Sequence, residues 1–136
     1  MIQQKEIYFD GFRRGYHLVT HLIERELEEL PEKGMLNILV KHTSAGITLN
    51  ENVDSSVRSD FHSFIDYLIP ENNSLYSHTL EGSDDMPAHL KSSIIGATLT
   101  IPITRHKLNL GTWQGIYFCE FRNRGGRRKL VLTVYS

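Results

Sequence analysis

The last third of the chain does most to narrow what it can fold into. Residues 98–103, 107–110, 113–121 and 127–135 are runs rich in β-branched, aromatic and other apolar residues, separated by Arg105-His106, by Gly111 and by Arg124-Gly125-Gly126. Such residues suit a pleated, half-buried surface, and connections this short join antiparallel strands but not parallel ones. The C-terminal part therefore reads as four antiparallel strands whose apolar face needs a cover.

The first two thirds supply the cover. Residues 6–9 form a short strand pattern that stops at Asp10-Gly11. Leu18, Leu22, Ile23, Leu27 and Leu30 then recur at helical spacing, with Glu24, Glu26, Glu28 and Glu29 opposite, which predicts a first helix over 18–30, ended by Pro31 and Gly34. Strands follow at 35–40 and 47–49, around the polar turn His42-Thr43-Ser44-Ala45-Gly46. Asp54 or Ser55 caps a second helix with Val57, Phe61, Phe64, Ile65 and Leu68 as its apolar face, and Pro70 stops it. A third helix opens at Asp84-Asp85-Met86-Pro87, where proline and acidic residues are both welcome, and runs through Leu90 and Ile94 to Gly96. Helices and strands are segregated. The reading is α+β, with a mainly antiparallel, sandwich-like core and about three helices in a single compact domain, 1–136.

Composition sets limits on function. The chain has 136 residues, 40% hydrophobic and 23% charged, which fits one ordered domain with its own core. A net charge of −1 argues against bulk electrostatic binding of nucleic acid. No apolar run approaches the roughly 20 residues that span a bilayer, and the N-terminus lacks an apolar signal region, so a cytoplasmic location away from membranes is expected. The single cysteine, Cys119, excludes an intrachain disulfide and a Cys-rich zinc pattern. Its place in an apolar run makes it a buried small hydrophobe.

The segment from His78 to His89 reads as a site before it reads as scaffold. It carries two imidazoles and the carboxylates of Glu81, Asp84 and Asp85, with almost no core-forming residues. Imidazole suits zinc and similar metals, while carboxylate suits harder cations and proton transfer. His42 closes a separate apolar run and is the third candidate: His42, His78 and His89 are read as three imidazoles around one divalent ion, against a phosphate site built from imidazole and backbone donors or hydrogen-bonded histidines that hold the turns. Glu81 and Asp85 then assist, by metal contact or by orienting imidazoles. One of Asp84 and Asp85 is expected only to cap the helix. Glu51 and Asn52 either face the same cleft or form a capping turn. In Gly111-Thr112-Trp113-Gln114-Gly115, the indole is either a stacking platform or core. The basic cluster 122–128 reads as a glycine-containing hairpin turn with solvated charges, with Arg122 the nearest candidate for attracting phosphate. His17 and His21 read as a solvated helix face, His62 as surface and His106 as part of a hairpin turn.

Four elements together resemble the YjbQ family, also called UPF0047. They are His42-Thr43-Ser44-Ala45-Gly46 with Asn50-Glu51-Asn52-Val53-Asp54; His78 through Glu81-Gly82 to Ala88-His89-Leu90-Lys91; Ser93-Ile94-Ile95-Gly96; and Gly111-Thr112-Trp113-Gln114. The resemblance covers nearly the whole chain, with Thr43-Ser44 standing where many members carry two threonines. It implies a compact α+β fold with a β-sandwich-like core, a homotrimer with clefts near subunit boundaries, and a thiamine-phosphate synthase activity regarded as secondary.

The expected function is thus a small enzyme that couples a hydroxymethylpyrimidine diphosphate to a thiazole phosphate and releases pyrophosphate. A divalent ion, zinc or magnesium, and arginine or lysine would stabilise the leaving group. Glu51, Asn52, Thr112, Trp113, Gln114 and Arg122 would contact the phosphorylated substrate, and His42, His78, His89, Glu81 and Asp85 would do the chemistry. The alternatives are a metal-dependent hydrolase of a phosphorylated metabolite, or a non-catalytic module that binds a ligand or RNA.

Overall fold

The structure, a computed structural model, describes residues 1–136 as β1 (Ile2–Phe9), β2 (Gly15–Leu18), α1 (Thr20–Glu26), β3 (Lys33–Val40), β4 (Ala45–Glu51), α2 (Ser55–Leu68), α3 (Asp85–Ile95), β5 (Thr98–Thr104), β6 (Lys107–Leu108), β7 (Gln114–Glu120) and β8 (Arg128–Tyr135). They form two sheets, β1-β8-β3-β5-β6 and β2-β7-β4, in which every neighbouring pair is antiparallel. The fold is α+β, as the segregation of elements predicts.

The core lies between the sheets. Alternate residues of β3 (Leu36, Ile38, Val40) and β8 (Leu130, Leu132, Val134) point inward, and they join Ile47, Ile116 and Phe118 of the smaller sheet in one apolar cluster. Each fully buried Leu, Ile or Phe side chain contributes roughly 1.5–3 kcal/mol. Cys119 is buried as expected, and burial pushes its thiol up, away from ionisation. No helix is long and apolar enough to cross a membrane.

The first helix is shorter than its periodicity predicts. Residues 15–18 are instead strand β2, which pairs with β7 from Gly15↔Glu120 to Leu18↔Tyr117. The Thr20 hydroxyl then accepts the Ile116 amide at 2.9 Å, anchoring the start of α1 to that strand. At the other end Leu27 turns extended, and Leu27 and Leu30 still pack on the core from outside the helix. His17 and His21 therefore do not share a helix face, because His17 belongs to β2.

Helix α2 is capped as expected, the Asp54 carboxylate accepting the Ser56 amide at 2.9 Å. Its apolar stripe is only half used. Ile65 is buried and Phe61 packs edge-on against Tyr16 at 4.8 Å, whereas Phe64 and Leu68 are exposed. Helix α3 lies across the start of β4, where the Ser92 hydroxyl donates to the Ala45 carbonyl at 2.7 Å. A Cβ on Gly46 would stand 2.8 Å from the Gly96 carbonyl, so glycine is what lets the end of α3 approach this closely. Arg105 and His106 join β5 to β6 with left-handed backbone at both positions, the two-residue hairpin turn that matches strand twist.

Candidate metal centre

The first turn of α3 sets up the site. Asp85 opens the helix and His89 follows four residues later, so both side chains project from one face. The loop before the helix brings back His78. Asp85 Oδ2 lies 2.7 Å from His78 Nε2 and 3.1 Å from His89 Nε2. One ligand atom from each of the three lies within 4.8 Å of the others. Asp85 is 6% exposed, His89 33% and His78 46%, so the group opens to solvent on the His78 side.

Each member has its orientation set from behind. His89 Nδ1 donates to the Thr43 carbonyl at 2.8 Å. That leaves its Nε2 facing Asp85, and a neutral ring would set a lone pair against a carboxylate there. Only a positive particle between them, a proton or a metal ion, makes the 3.1 Å approach favourable. The other carboxylate oxygen, Asp85 Oδ1, accepts Arg122 Nη1 at 2.6 Å. Arg122 also donates Nε to Asp84 at 2.9 Å and Nη2 to the Glu81 carbonyl at 2.9 Å. Burial raises Asp85, but the His78 hydrogen bond and the Arg122 charge outweigh it and hold the carboxyl below its usual range. Burial likewise raises Asp84, and bonds from the Asn123 amide and Arg122 outweigh it in the same way. The guanidinium, bonded to Asp84, is held more firmly protonated.

Several expectations need correction at this point. His42 is not in the group: its Nε2 accepts the Lys129 amide at 2.7 Å, which puts the ring proton on Nδ1 and leaves no free lone pair for a metal. Burial first, then the Arg128 charge, hold His42 below the ordinary imidazole range, in keeping with this neutral form. Arg122 spends its donors on Asp84, Asp85 and Glu81 and braces the loop. Glu81 takes part through its backbone carbonyl, and its residue is exposed.

The second half of the expected site lies elsewhere. The Ala45 end of β4 faces the metal-type group, while Glu51 pairs with Gln114 at the opposite end. Six residue steps of strand separate them, about 20 Å at ~3.3 Å per step. There the Glu51 carboxylate accepts the amides of Val53 and Asp54, at 2.9 and 2.7 Å, as a capping turn does. Asn52 Nδ2 donates to the carbonyls of Thr112 and Gln114, both at 3.2 Å, and the Gln114 side chain accepts the Gly111 amide at 2.8 Å. These bonds shape a turn that displays Trp113 at 62% exposure. The indole is thus neither core nor beside the imidazoles of its own chain.

Motifs alone do not reveal that three further charged residues are buried. Arg128 and Glu120 form a buried pair, Nε to Oε1 at 2.7 Å and Nη2 to Oε2 at 2.5 Å. Lys91 is buried on α3, with its ammonium 2.5 Å from Asp66, which also accepts Arg14 at 3.0 Å. Burial raises Asp66, and the bonds from Lys91 and Arg14 bring it below its usual range. Strand phase offered a signal for Arg128, since it shares the inward face with Leu130 and Leu132.

Comparison with known proteins agrees with this architecture. Residues 5–136 match the family model described as UPF0047 protein YjbQ-like. The UPF0047 protein YjbQ of Salmonella typhimurium is 45% identical over 136 residues, covering 98% of each chain. A UPF0047 protein of Methanocaldococcus jannaschii is 46% identical over 112 residues, 82% of this chain and 77% of its own. Among solved structures, a conserved YjbQ/UPF0047-family protein of Clostridium acetobutylicum superposes with a TM-score of 0.79 at 34% identity, covering 96% of this chain and 99% of that one. A YbjQ-like protein of Sulfolobus solfataricus shares the fold, with a TM-score of 0.82 at 23% identity over 98% and 96% of the two chains. The chain belongs to the UPF0047 (YjbQ-like) family.

Proposed function

We propose that this protein is a divalent-metal-dependent enzyme acting on a phosphorylated small molecule. Its specific form is the transferase that joins a hydroxymethylpyrimidine diphosphate to a thiazole phosphate and releases pyrophosphate. The observation that carries the metal-dependent reading is the convergence of His78, Asp85 and His89, with His89 braced by a carbonyl and Asp85 by a guanidinium. Two imidazoles and a carboxylate suit zinc or a similar transition metal better than magnesium, which prefers oxygen alone. Bound there, such an ion supplies positive charge to a leaving diphosphate. Thr43 and Arg122 keep the donors aimed, and the exposed His78 side leaves room for a phosphate to approach.

The transferase reading also calls for an aromatic face at the pyrimidine. Trp113 of the same chain is too distant, so the indole of a second copy fills that role in a homotrimer. Two exposed apolar regions support this arrangement. Leu75 and Leu80 flank His78 in sequence, Phe64, Tyr67 and Leu68 lie on the helix leading into that loop, and at the other end exposed Val53 follows Asn52, whose amide donates to the carbonyl of exposed Trp113. Several large apolar side chains left exposed on neighbouring segments favour association.

The experiment titrates chelator-treated protein with zinc and cobalt, then follows thiamine phosphate formation from the two phosphorylated substrates by mass spectrometry. The expected result is one ion per chain. His89→Ala and Asp85→Asn should each weaken binding by more than the roughly 10–100-fold typical of outer-shell changes, and abolish turnover. Wild-type protein that takes up neither metal, or unchanged turnover in folded His89→Ala, overturns the proposal. A second reading, hydrolysis of a phosphorylated metabolite, is favoured by the open two-His, one-carboxylate donor set that catalytic zinc uses. Phosphate or pyrophosphate release without a thiazole acceptor selects it.

A further inference from the structure

Strand β8 begins with two residues that both grip the turn before β4. Arg128 Nη2 donates to the Ser44 hydroxyl at 3.0 Å and to the Ser44 carbonyl at 3.3 Å. The Lys129 amide donates to His42 Nε2 at 2.7 Å, and the Lys129 carbonyl accepts the Lys41 amide at 3.0 Å. Arg128 is itself anchored on the fully buried Glu120. Residues on both sides of Thr43 are therefore tied to β8, and the Thr43 carbonyl between them is the group that accepts His89 Nδ1–H.

We propose that His42, Arg128 and Glu120 are positioning residues for His89: they clamp the 41–44 turn onto β8, so that the Thr43 carbonyl selects which nitrogen of His89 faces Asp85 and His78. This rests on the reading of that group as a metal centre, and it moves His42 from ligand to support. An imidazole ligand needs its second nitrogen held by an acceptor, which sets both ring orientation and tautomer. Thr43 is exposed, and a loose turn would be free to swing that carbonyl toward water. The bonds from β8 oppose the swing. His42 serves because its ring offers an acceptor nitrogen at the reach of the Lys129 amide.

The test uses the full chain with His42→Ala, His42→Gln and Arg128→Lys, each checked for folding by circular dichroism. Zinc affinity is measured by chelator competition, coordination by the cobalt absorption band, and the His89 ring by nitrogen NMR on metal-free protein. His42→Ala and Arg128→Lys should each bind zinc about 10–100-fold more weakly, with one ion per chain and an unchanged cobalt band. His42→Gln, whose amide oxygen also accepts the Lys129 amide, should restore most of the affinity. Wild-type affinity in both His42→Ala and Arg128→Lys overturns the clamp. So does loss of the ion that glutamine fails to rescue, since that marks His42 as a ligand. If wild-type protein binds neither zinc nor cobalt, the metal reading falls and the NMR decides alone. A slowly exchanging His89 Nδ1 proton in wild type and His42→Gln, lost in His42→Ala, supports the clamp. The same signal in all three refutes it.

Discussion

Replacing Arg128 by methionine should cost this protein a large share of its stability. The Glu120 carboxylate is fully buried and accepts Arg128 Nε at 2.7 Å, Arg128 Nη2 at 2.5 Å and the Arg122 amide at 3.2 Å. Arg128→Met removes the guanidinium and leaves the charge buried with one backbone donor. Breaking a buried pair from one side costs about 3–5 kcal/mol. Unfolding entropy of about 2.1 cal/mol/K per residue gives roughly 0.29 kcal/mol/K for 136 residues. The melting temperature should therefore fall by about 10–18 °C. Removing both charges, Glu120→Leu with Arg128→Met, should recover most of that loss, because an apolar pair of similar volume is often neutral in such a place. Zinc affinity should stay low in the double variant, since Ser44 still lacks its donor. Thermal and urea denaturation at one fixed protein concentration measure the effect, concentration mattering if copies associate. A loss below about 1 kcal/mol in Arg128→Met, or a double variant no more stable than the single one, would refute the reasoning.

Acid should weaken the fold in two stages. His42 is held below its ordinary 6.5 by burial and then by Arg128, so the unfolded chain binds the proton first. Its contribution is complete above about pH 6.5 and is lost as pH falls through the lowered folded value. Asp66, Asp84 and Asp85 lie below 3.8, so their contribution is complete above that pH and is lost below it. Urea midpoints measured from pH 8 to 3 should show both stages, and His42→Gln should flatten the first; an equal slope in that variant would count against the assignment. Trp113→Ala removes an exposed side chain that belongs to neither apolar core cluster. It should lower the apparent mass in light scattering; an unchanged mass together with unchanged turnover would remove the indole from both the interface and the substrate site.

How legible the fold was depended on element length and on what else a residue could pair with. Strands β5, β7 and β8 could be read because long β-branched and aromatic runs between tight turns have few other solutions. β2 could not, because four residues carry too little alternation, and Leu18 sits in phase with the helix that follows. The stripe on α2 reads as a core face by spacing alone, yet Phe64 and Leu68 are exposed, since spacing cannot tell a core from a partner surface.

The site divides in the same way. His78, Asp85 and His89 were legible because local chain geometry joins two of them one helical turn apart, and the third is close in sequence. His42 was misread because residue type reports that an imidazole is present but not which nitrogen is already bonded, and here a backbone amide on β8 claims it. Reading 122–128 as one solvated turn makes a different error, averaging residues that the strand boundary separates. Arg124 and Arg127 are exposed in the turn, while Arg128 is the first residue of β8 and shares the inward face of Leu130, Leu132 and Val134. A guanidinium on that face requires a buried acceptor, and β7 ends on one, Glu120, after five buried residues. Gly125 completes the fit, since any side chain there would run into the Glu120 carboxylate. An arginine at an inward strand position, with a carboxylate at the end of a neighbouring buried run, therefore points to a buried pair.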